Sequence, residues 1–514
     1  MSSIRTEFAC GPGIAEVMTE NGMLRGYIKE DIYHFLGVRY GTAKRFLPAA
    51  PETPWEGCRT ATDYGYVCPN PLLKFGLRDT LLSSPVLWPD SEDCLNLNIW
   101  TGSLDPDAKK PVMFWIHGGA FSSGNAIHLA VYEGHNTAKY GDVVCVSVNH
   151  RLGALAYMNL SGYGEEYADS GNLGLLDLVL ALKWVKNNIS AFGGDPDNVT
   201  IYGHSGGGGK ISALMQMPAA DGLYHKVIMQ SGLIQNEHLK WPTPEESAEW
   251  AEKLAKAAGG VDRLSEMPVD EMMELCTRTY DNQMFWLPTQ GAGTFIGDHT
   301  VAGLRKETAC IPVILGSALN EFGQRIDFVD KSALSDEQKL EMLKEVYGPA
   351  AEGVKREFEK AYPGVNSCYA KNLDHYNFRP LIVNYSRMRA EMNAPTYQYM
   401  LTYELALGGG YMSYHGAELP FTFHNVPLQP AVINGEKTWR FQDEIFNAWM
   451  QFVRTGDPNH GALPDRWRPY TESDHACLVF GDRTECRADH DAELMAYMKS
   501  MSRIPSWSEI HSQS

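Results

Sequence analysis

Cysteine is sparse in this chain. Ten residues in 514, with no Cys-x-x-Cys pair among them, are too dilute for a disulfide scaffold and offer no structural zinc motif. Long apolar runs are missing too: no stretch approaches about 18 consecutive apolar residues, so no membrane-spanning helix is expected. Basic residues are in deficit, 44 against 63 acidic ones for a net charge of −19, and nowhere form a block. Nucleic-acid binding needs clustered Lys and Arg that release counterions, so it is set aside. The same deficit argues against an anionic membrane surface. Residues 1–13 hold no apolar leader core, and the last six match no retention or lipidation signal. The expected compartment is therefore the cytoplasm. No low-complexity linker or charge run divides the chain. What is present, 44% hydrophobic and 21% charged residues, describes a globular protein with ample core. Residues 1–514 are expected to form a single large α/β domain.

The opening reads as antiparallel. Ile14–Thr19 and Met23–Ile28 flank Glu20-Asn21-Gly22, and Asn-Gly is the strongest short hairpin signal. Ile32–Leu36 follows as a third run, and Tyr40–Pro71 reads as irregular loop. From Leu95 the texture changes. Leu95–Trp100, Val112–Ile116, Val143–Val148, Val199–Tyr202, Lys226–Gln230, Val313–Leu315 and Thr396–Leu401 are short and rich in β-branched or aromatic residues. Several are nearly continuous apolar runs, as strands buried on both faces require. Helical-period stretches lie between them, notably Leu173–Asn188 and Lys210–Met217. This alternation predicts a mostly parallel sheet covered by helices. Two helical blocks, Thr243–Arg278 and Ser335–Tyr362, interrupt it; the second opens with the capping-box spacing Ser335 to Gln338. They read as insertions, roughly 235–305 and 330–395, on the one domain.

The sharpest local signal is Gly203-His204-Ser205-Gly206-Gly207, a G-x-S-x-G pattern that follows a strand and opens a helical segment. That is the setting of a nucleophile elbow: the glycines allow a turn too tight for side chains and lift the Ser205 hydroxyl clear of the backbone. A serine nucleophile needs a base, an orienting acid and an oxyanion hole. Val112–Ile116 runs into His117-Gly118-Gly119-Ala120-Phe121, from which backbone N–H groups would join that of Gly206. The acid and base follow the serine in such sheets. Glu321, one short loop beyond Val313–Leu315, leads as the acid, with Asp327 and Asp330 as fallbacks. His415, in the glycine-rich loop after Thr396–Leu401, leads as the base, with His424 and His375 as rivals.

These residues carry a family resemblance. The chain resembles the type-B carboxylesterases, the branch of the α/β-hydrolases that includes cholinesterases and neuroligins. The matching segments are Phe35-Leu36-Gly37-Val38-Arg39-Tyr40, Ser91-Glu92-Asp93-Cys94-Leu95-Asn96-Leu97-Asn98, the 117–121 loop, and Asn149-His150-Arg151-Leu152-Gly153. Further along come Gly171-Asn172-Leu173-Gly174-Leu175-Leu176-Asp177, Phe192-Gly193-Gly194-Asp195-Pro196, the elbow, and His415-Gly416-Ala417-Glu418-Leu419-Pro420-Phe421. The resemblance implies an α/β-hydrolase fold with a small N-terminal antiparallel sheet and helical insertions that form part of a substrate gorge. It implies hydrolysis of a small-molecule carboxylic ester, without cofactor or metal, by a monomer or homodimer. Ser205 would be nucleophile, Glu321 acid and His415 base, with Gly119, Ala120 and Gly206 as oxyanion donors.

It also implies ion pairs between Arg45 and Glu92 and between Arg151 and Asp177, and places Cys68 and Cys94 where secreted relatives form a disulfide; reduced thiols are the alternative in a cytosolic chain. This sequence departs from the family at three points. His204 and Gly206 stand where Glu and Ala are common at the elbow, and Phe322 stands where Gly commonly follows the acid. His204 cannot fold back easily onto its neighbour and is expected to pack under the turn. The apolar run Met284-Phe285-Trp286 is a candidate acyl-pocket lining. The same triad could serve an amide or carbamate hydrolase. A non-catalytic neuroligin-like binding module is the remaining alternative, opposed by the complete triad.

Overall fold

Short apolar runs pair into a twelve-stranded sheet in the computed structural model, which describes residues 7–69, 84–233, 240–280, 286–322, 326, 328–375 and 378–501. The strands in chain order are β1 (Phe8–Cys10), β2 (Tyr27–Lys29), β3 (Ile32–Arg39), β4 (Asn96–Thr101), β5 (Lys110–Ile116), β6 (Val144–Val148), β7 (Gly194–His204), β8 (Lys226–Gln230), β9 (Val313–Ala318), β10 (Thr396–Leu401), β11 (Ala476–Phe480) and β12 (Glu485–Ala488). Their order across the sheet is β1-β2-β3-β4-β6-β5-β7-β8-β9-β10-β11-β12. From β6 through β11 every neighbour is parallel, and both flanks are antiparallel.

Alternation along each strand builds a core on either face. Val112, Phe114 and Ile116 of β5 pack with Leu175, Leu178 and Leu182 of helix α1 (Leu173–Asn188). Met113 and Trp115, pointing the other way, pack with Phe441, Ile445 and Trp449 of the helix Lys437–Thr455. Both faces are dry, which is why these strands read as unbroken apolar runs. Among the described residues no helix is long and apolar enough to cross a membrane.

The N-terminal hairpin forms, but its second strand is shared between sheets. Glu16–Met18 pairs with Met23–Arg25, and Cys58–Thr60 joins them in a separate three-stranded sheet. At Gly26 the chain crosses over: its N–H still bonds Ala15 O at 2.9 Å, and Tyr27 enters the large sheet as β2. The region expected to be irregular from Tyr40 onward thus contains Cys58–Thr60 and the short pair Gly41–Thr42 and Ala50–Pro51.

The two helical blocks are broken where glycine and proline stand. The first splits into Pro244–Ala258, Val261–Glu266 and Val269–Thr279, divided by Gly259-Gly260 and by Pro268. The second splits into Asp336–Tyr347 and Ala351–Ala361 around Pro349, and its Ser335–Gln338 capping box is present. Helix α2 runs over Gly206–Leu214, starting and ending earlier than the expected Lys210–Met217. Four consecutive glycines are poor helix formers. Here they are helical because the helix presses directly on backbone: a Cβ on Gly207 would lie 2.1 Å from Ile116 O.

Candidate active site

Strand β7 ends at His204, and Ser205 occupies a left-handed conformation, φ 56° and ψ −128°, before α2 begins at Gly206. A non-glycine residue held there costs about 1–3 kcal/mol and persists only where its surroundings enforce it. Enforcement comes from both sides. Ser205 N–H donates to Gln230 O at the end of β8 (2.8 Å), and its carbonyl accepts from Gly209 N–H (3.1 Å). The loop after β5 lies against the turn: Gly119 and Ala120 also have positive φ, 91° and 51°, and Gly119 O accepts from Ser123 N–H at 2.9 Å. A Cβ on Gly206 would stand 2.3 Å from Ala120 N, so the backbones of these two expected oxyanion donors meet with no room for a side chain.

The expected acid and base meet beyond the ends of β8 and β9. His415 Nδ1 lies 2.5 Å from Glu321 Oε2, and His415 N–H donates to the carbonyl of Glu321 at 2.7 Å. The other carboxylate oxygen accepts from Ser231 Oγ–H and from Ala318 N–H, both at 2.7 Å. Glu321 is fully buried. Burial pushes its carboxyl upward, and the bonds from Ser231 and Ala318 pull it back toward the charged form. Ser231 directly follows Gln230, whose carbonyl holds Ser205, so one strand end positions both Ser205 and Glu321.

The rivals are engaged elsewhere. His375 bonds Asp491 (2.8 Å) and Tyr362 (3.2 Å), and Asp491 is also paired with Arg379. His424 stacks on Tyr140 and lies 3.2 Å from Gln442 Nε2. Asp330 caps the turn Lys331–Ala333 through Ser332 N–H. Asp327, Met284 and Phe285 lie outside the described residues; Trp286 is buried, edge-on to Tyr280.

All three departures from the family pattern touch this site. The rings of His204 and Phe322 both lie 4.2 Å, centroid to centroid, from His415. His204 is buried, and burial, with His415 as neighbour, holds it far below the usual imidazole range. The segments 235–305 and 330–395 contribute aromatics as well: Trp241 packs on Phe121 of the 117–121 loop (5.5 Å), and Phe378 on His415 (5.4 Å). Arg151 and Asp177 form a buried two-pronged pair at 2.8 and 2.6 Å. Arg45 binds Glu92 and also the carbonyls of Leu264 and Met267 in the first insertion. Cys68 and Cys94 are buried, hydrogen-bonded thiols rather than a disulfide.

Ser231 and Lys210 escaped the sequence reading. Lys210, on α2, is completely buried, and its ammonium donates to the carbonyl of His117 at 3.0 Å, the residue that opens the 117–121 loop. Burial pulls it down to about 7. Two further buried acids, Asp374 and Glu418, are raised by burial and by the charge of Glu321. One group of His, Cys, Asp or Glu side chains at metal-binding spacing occurs among the described residues, His34, Glu133 and His135, and none of them belongs to this site.

Comparison with known proteins agrees across the chain. Residues 14–498 match the model of the carboxylesterase family. The chain is 32% identical over 492 residues to para-nitrobenzyl esterase of Bacillus subtilis, covering 93% of this chain and 97% of that one. It is 31% identical to phenmedipham hydrolase of Pseudarthrobacter oxydans, covering 92% and 97%. Among solved structures it is similar to an esterase of the anaerobe Clostridium hathewayi that hydrolyses aliphatic aromatic polyesters, with TM-score 0.91, 37% identity and coverage of 97% and 100%. The carboxylesterase EST55 of Geobacillus stearothermophilus gives TM-score 0.75 at 33% identity, covering 94% and 99%.

Proposed function

Because the chain belongs to the carboxylesterase family and is an ester hydrolase, we propose that Ser205, His415 and Glu321 carry its reaction through an acyl-enzyme. The observation that supports this most is the 2.5 Å contact of His415 Nδ1 with Glu321 Oε2, beside a serine held at a strained strand-to-helix turn. With Nδ1–H donated to the carboxylate, Nε2 keeps its lone pair for the serine proton. Ser205 Oγ attacks the ester carbonyl as His415 takes that proton, and the imidazolium forms next to Glu321. The carbonyl oxygen becomes an oxyanion in reach of the N–H groups of Gly119, Ala120 and Gly206; each such donor is worth about 3–4 kcal/mol in comparable sites. The alcohol leaves with the proton from His415. Water then loses a proton to the same imidazole, attacks the acyl carbonyl, and releases the acid and Ser205.

Lys210 acts through position. Its bond to His117 O fastens the start of the oxyanion loop to the helix that carries Gly206. Trp241 and Phe378 reach the site from the segments 235–305 and 330–395, which supports a substrate passage formed partly by the insertions. Matched p-nitrophenyl ester and p-nitroanilide substrates of one acyl group test the reaction class. The ester should turn over with a pre-steady-state burst of p-nitrophenol equal to the enzyme concentration. Equal kcat/KM on the anilide would favour amide hydrolysis instead.

A further inference from the structure

A second constellation lies at the start of the helix His135–Gly141. His34 projects from β3, and its Nε2 is 3.0 Å from His135 Nδ1. One ring nitrogen of each histidine and a carboxylate oxygen of Glu133 all lie within 4.8 Å of one another. Two imidazole nitrogens on a tetrahedral zinc, with bonds of about 2.0–2.1 Å, stand about 3.3 Å apart. Opening the existing contact by a few tenths of an ångström would admit the ion. A direct ring-to-ring hydrogen bond explains the short contact alone. It does not involve the third donor: Glu133 Oε2 accepts from His135 N–H at 3.1 Å, and a carboxylate oxygen of the same side chain also lies within reach of both rings.

We propose that His34 Nε2, His135 Nδ1 and Glu133 bind one divalent ion of the zinc class, with water completing the tetrahedron. Two imidazoles and a carboxylate suit zinc and its neighbours rather than calcium or magnesium, which take oxygen donors. The surroundings have the form such ligands need. Glu30 Oε2 stands 3.6 Å from His135 Nε2, a carboxylate behind the ring that favours Nε2–H and turns the Nδ1 lone pair toward the ion. Both histidines are buried, Glu133 is half-buried, and the Glu30 side chain is 42% exposed, which leaves a way in from solvent. His34 and His135 are 101 residues apart, so no spacing in the sequence announces them. The ion would be structural. It would pin the helix and the far end of the segment 117–134, whose other end is the oxyanion loop, to β3.

The test uses untagged full-length enzyme, stripped with chelator and titrated with zinc and with cobalt. About one equivalent should bind per chain, with a rise in Tm and a tetrahedral cobalt spectrum. His135→Asn and Glu133→Gln should each weaken binding at least about tenfold and abolish the rise in Tm. Glu30→Gln should weaken binding about tenfold by loosening the ring. Circular dichroism and retained esterase activity report the fold of each variant, and the isosteric Glu133→Gln carries the test if His135→Asn misfolds. No stoichiometric binding, or binding unchanged in Glu133→Gln, overturns the proposal.

Discussion

Replacing Lys210 with Met should give an enzyme that is more stable below neutral pH and less active. The ammonium is fully buried and donates to one carbonyl, that of His117. Holding it at about 7 rather than its ordinary 10.5 means that the fold disfavours the charged form by about 5 kcal/mol. The sign follows from proton counts: between pH 7 and 10.5 the unfolded chain binds the proton and the folded one does not, so stability rises with pH through that window. The destabilisation is absent above 10.5 and complete below 7. Methionine keeps an unbranched apolar stem and carries no charge, but it leaves His117 O without this donor, at a cost of about 1–3 kcal/mol. The variant should therefore gain about 2–4 kcal/mol over the parent at pH 6. By pH 9.5 that advantage should shrink by about 3 kcal/mol. Urea unfolding at the two pH values measures the difference directly. On a p-nitrophenyl ester at pH 8, kcat should fall about tenfold with KM little changed, because a loosened loop loses part of what deleting a whole donor costs. Equal destabilisation at both pH values would refute the buried-cation argument. An unchanged kcat would refute the tether.

His415→Gln should lower kcat by at least about three orders of magnitude, whereas His204→Gln, which removes a packed neighbour, should cost less than about tenfold; steady-state rates on one ester compare them. Gly206→Ala should drop kcat at least about tenfold while the substrate still binds, since its Cβ would stand 2.2 Å from Ala120 Cα and push the oxyanion loop away. Glu321→Gln should lower both kcat/KM and the apparent pKa of its acid limb, because imidazolium loses the carboxylate at 2.5 Å; a pH–rate profile on a neutral ester reads both.

Local signals located most of this molecule. Lys226–Gln230, Thr396–Leu401 and Leu173–Asn188 were legible end to end, because a strand dry on both faces or a helix with a regular period writes its own limits. The start of α2 was not, since the glycines of 206–209 are helical only through the backbone that packs on them. Ala476–Phe480 is an apolar run that could have been read as a strand and was passed over, so the sheet is wider on that edge than expected. In the site, Ser205, Glu321 and His415 stand in motifs, and the structure brings Glu321 and His415 into contact. Ser231 and Lys210 stand in none. Each reaches its partner across about ninety residues of chain, and a contact of that span leaves no local pattern.

The claim on which the mechanism rests is that Ser205 is the nucleophile, and covalent labelling tests it most directly. The enzyme is treated with an organophosphate or sulfonyl fluoride, and the modified peptide is identified by mass spectrometry while residual esterase activity is followed. One label per chain, on Ser205, appearing in step with the loss of activity is the predicted result; Ser205→Ala should take no label and show no turnover at an unchanged Tm. Stoichiometric inactivation with the label on another residue, or a well-folded Ser205→Ala that keeps more than a few per cent of the rate, would contradict it.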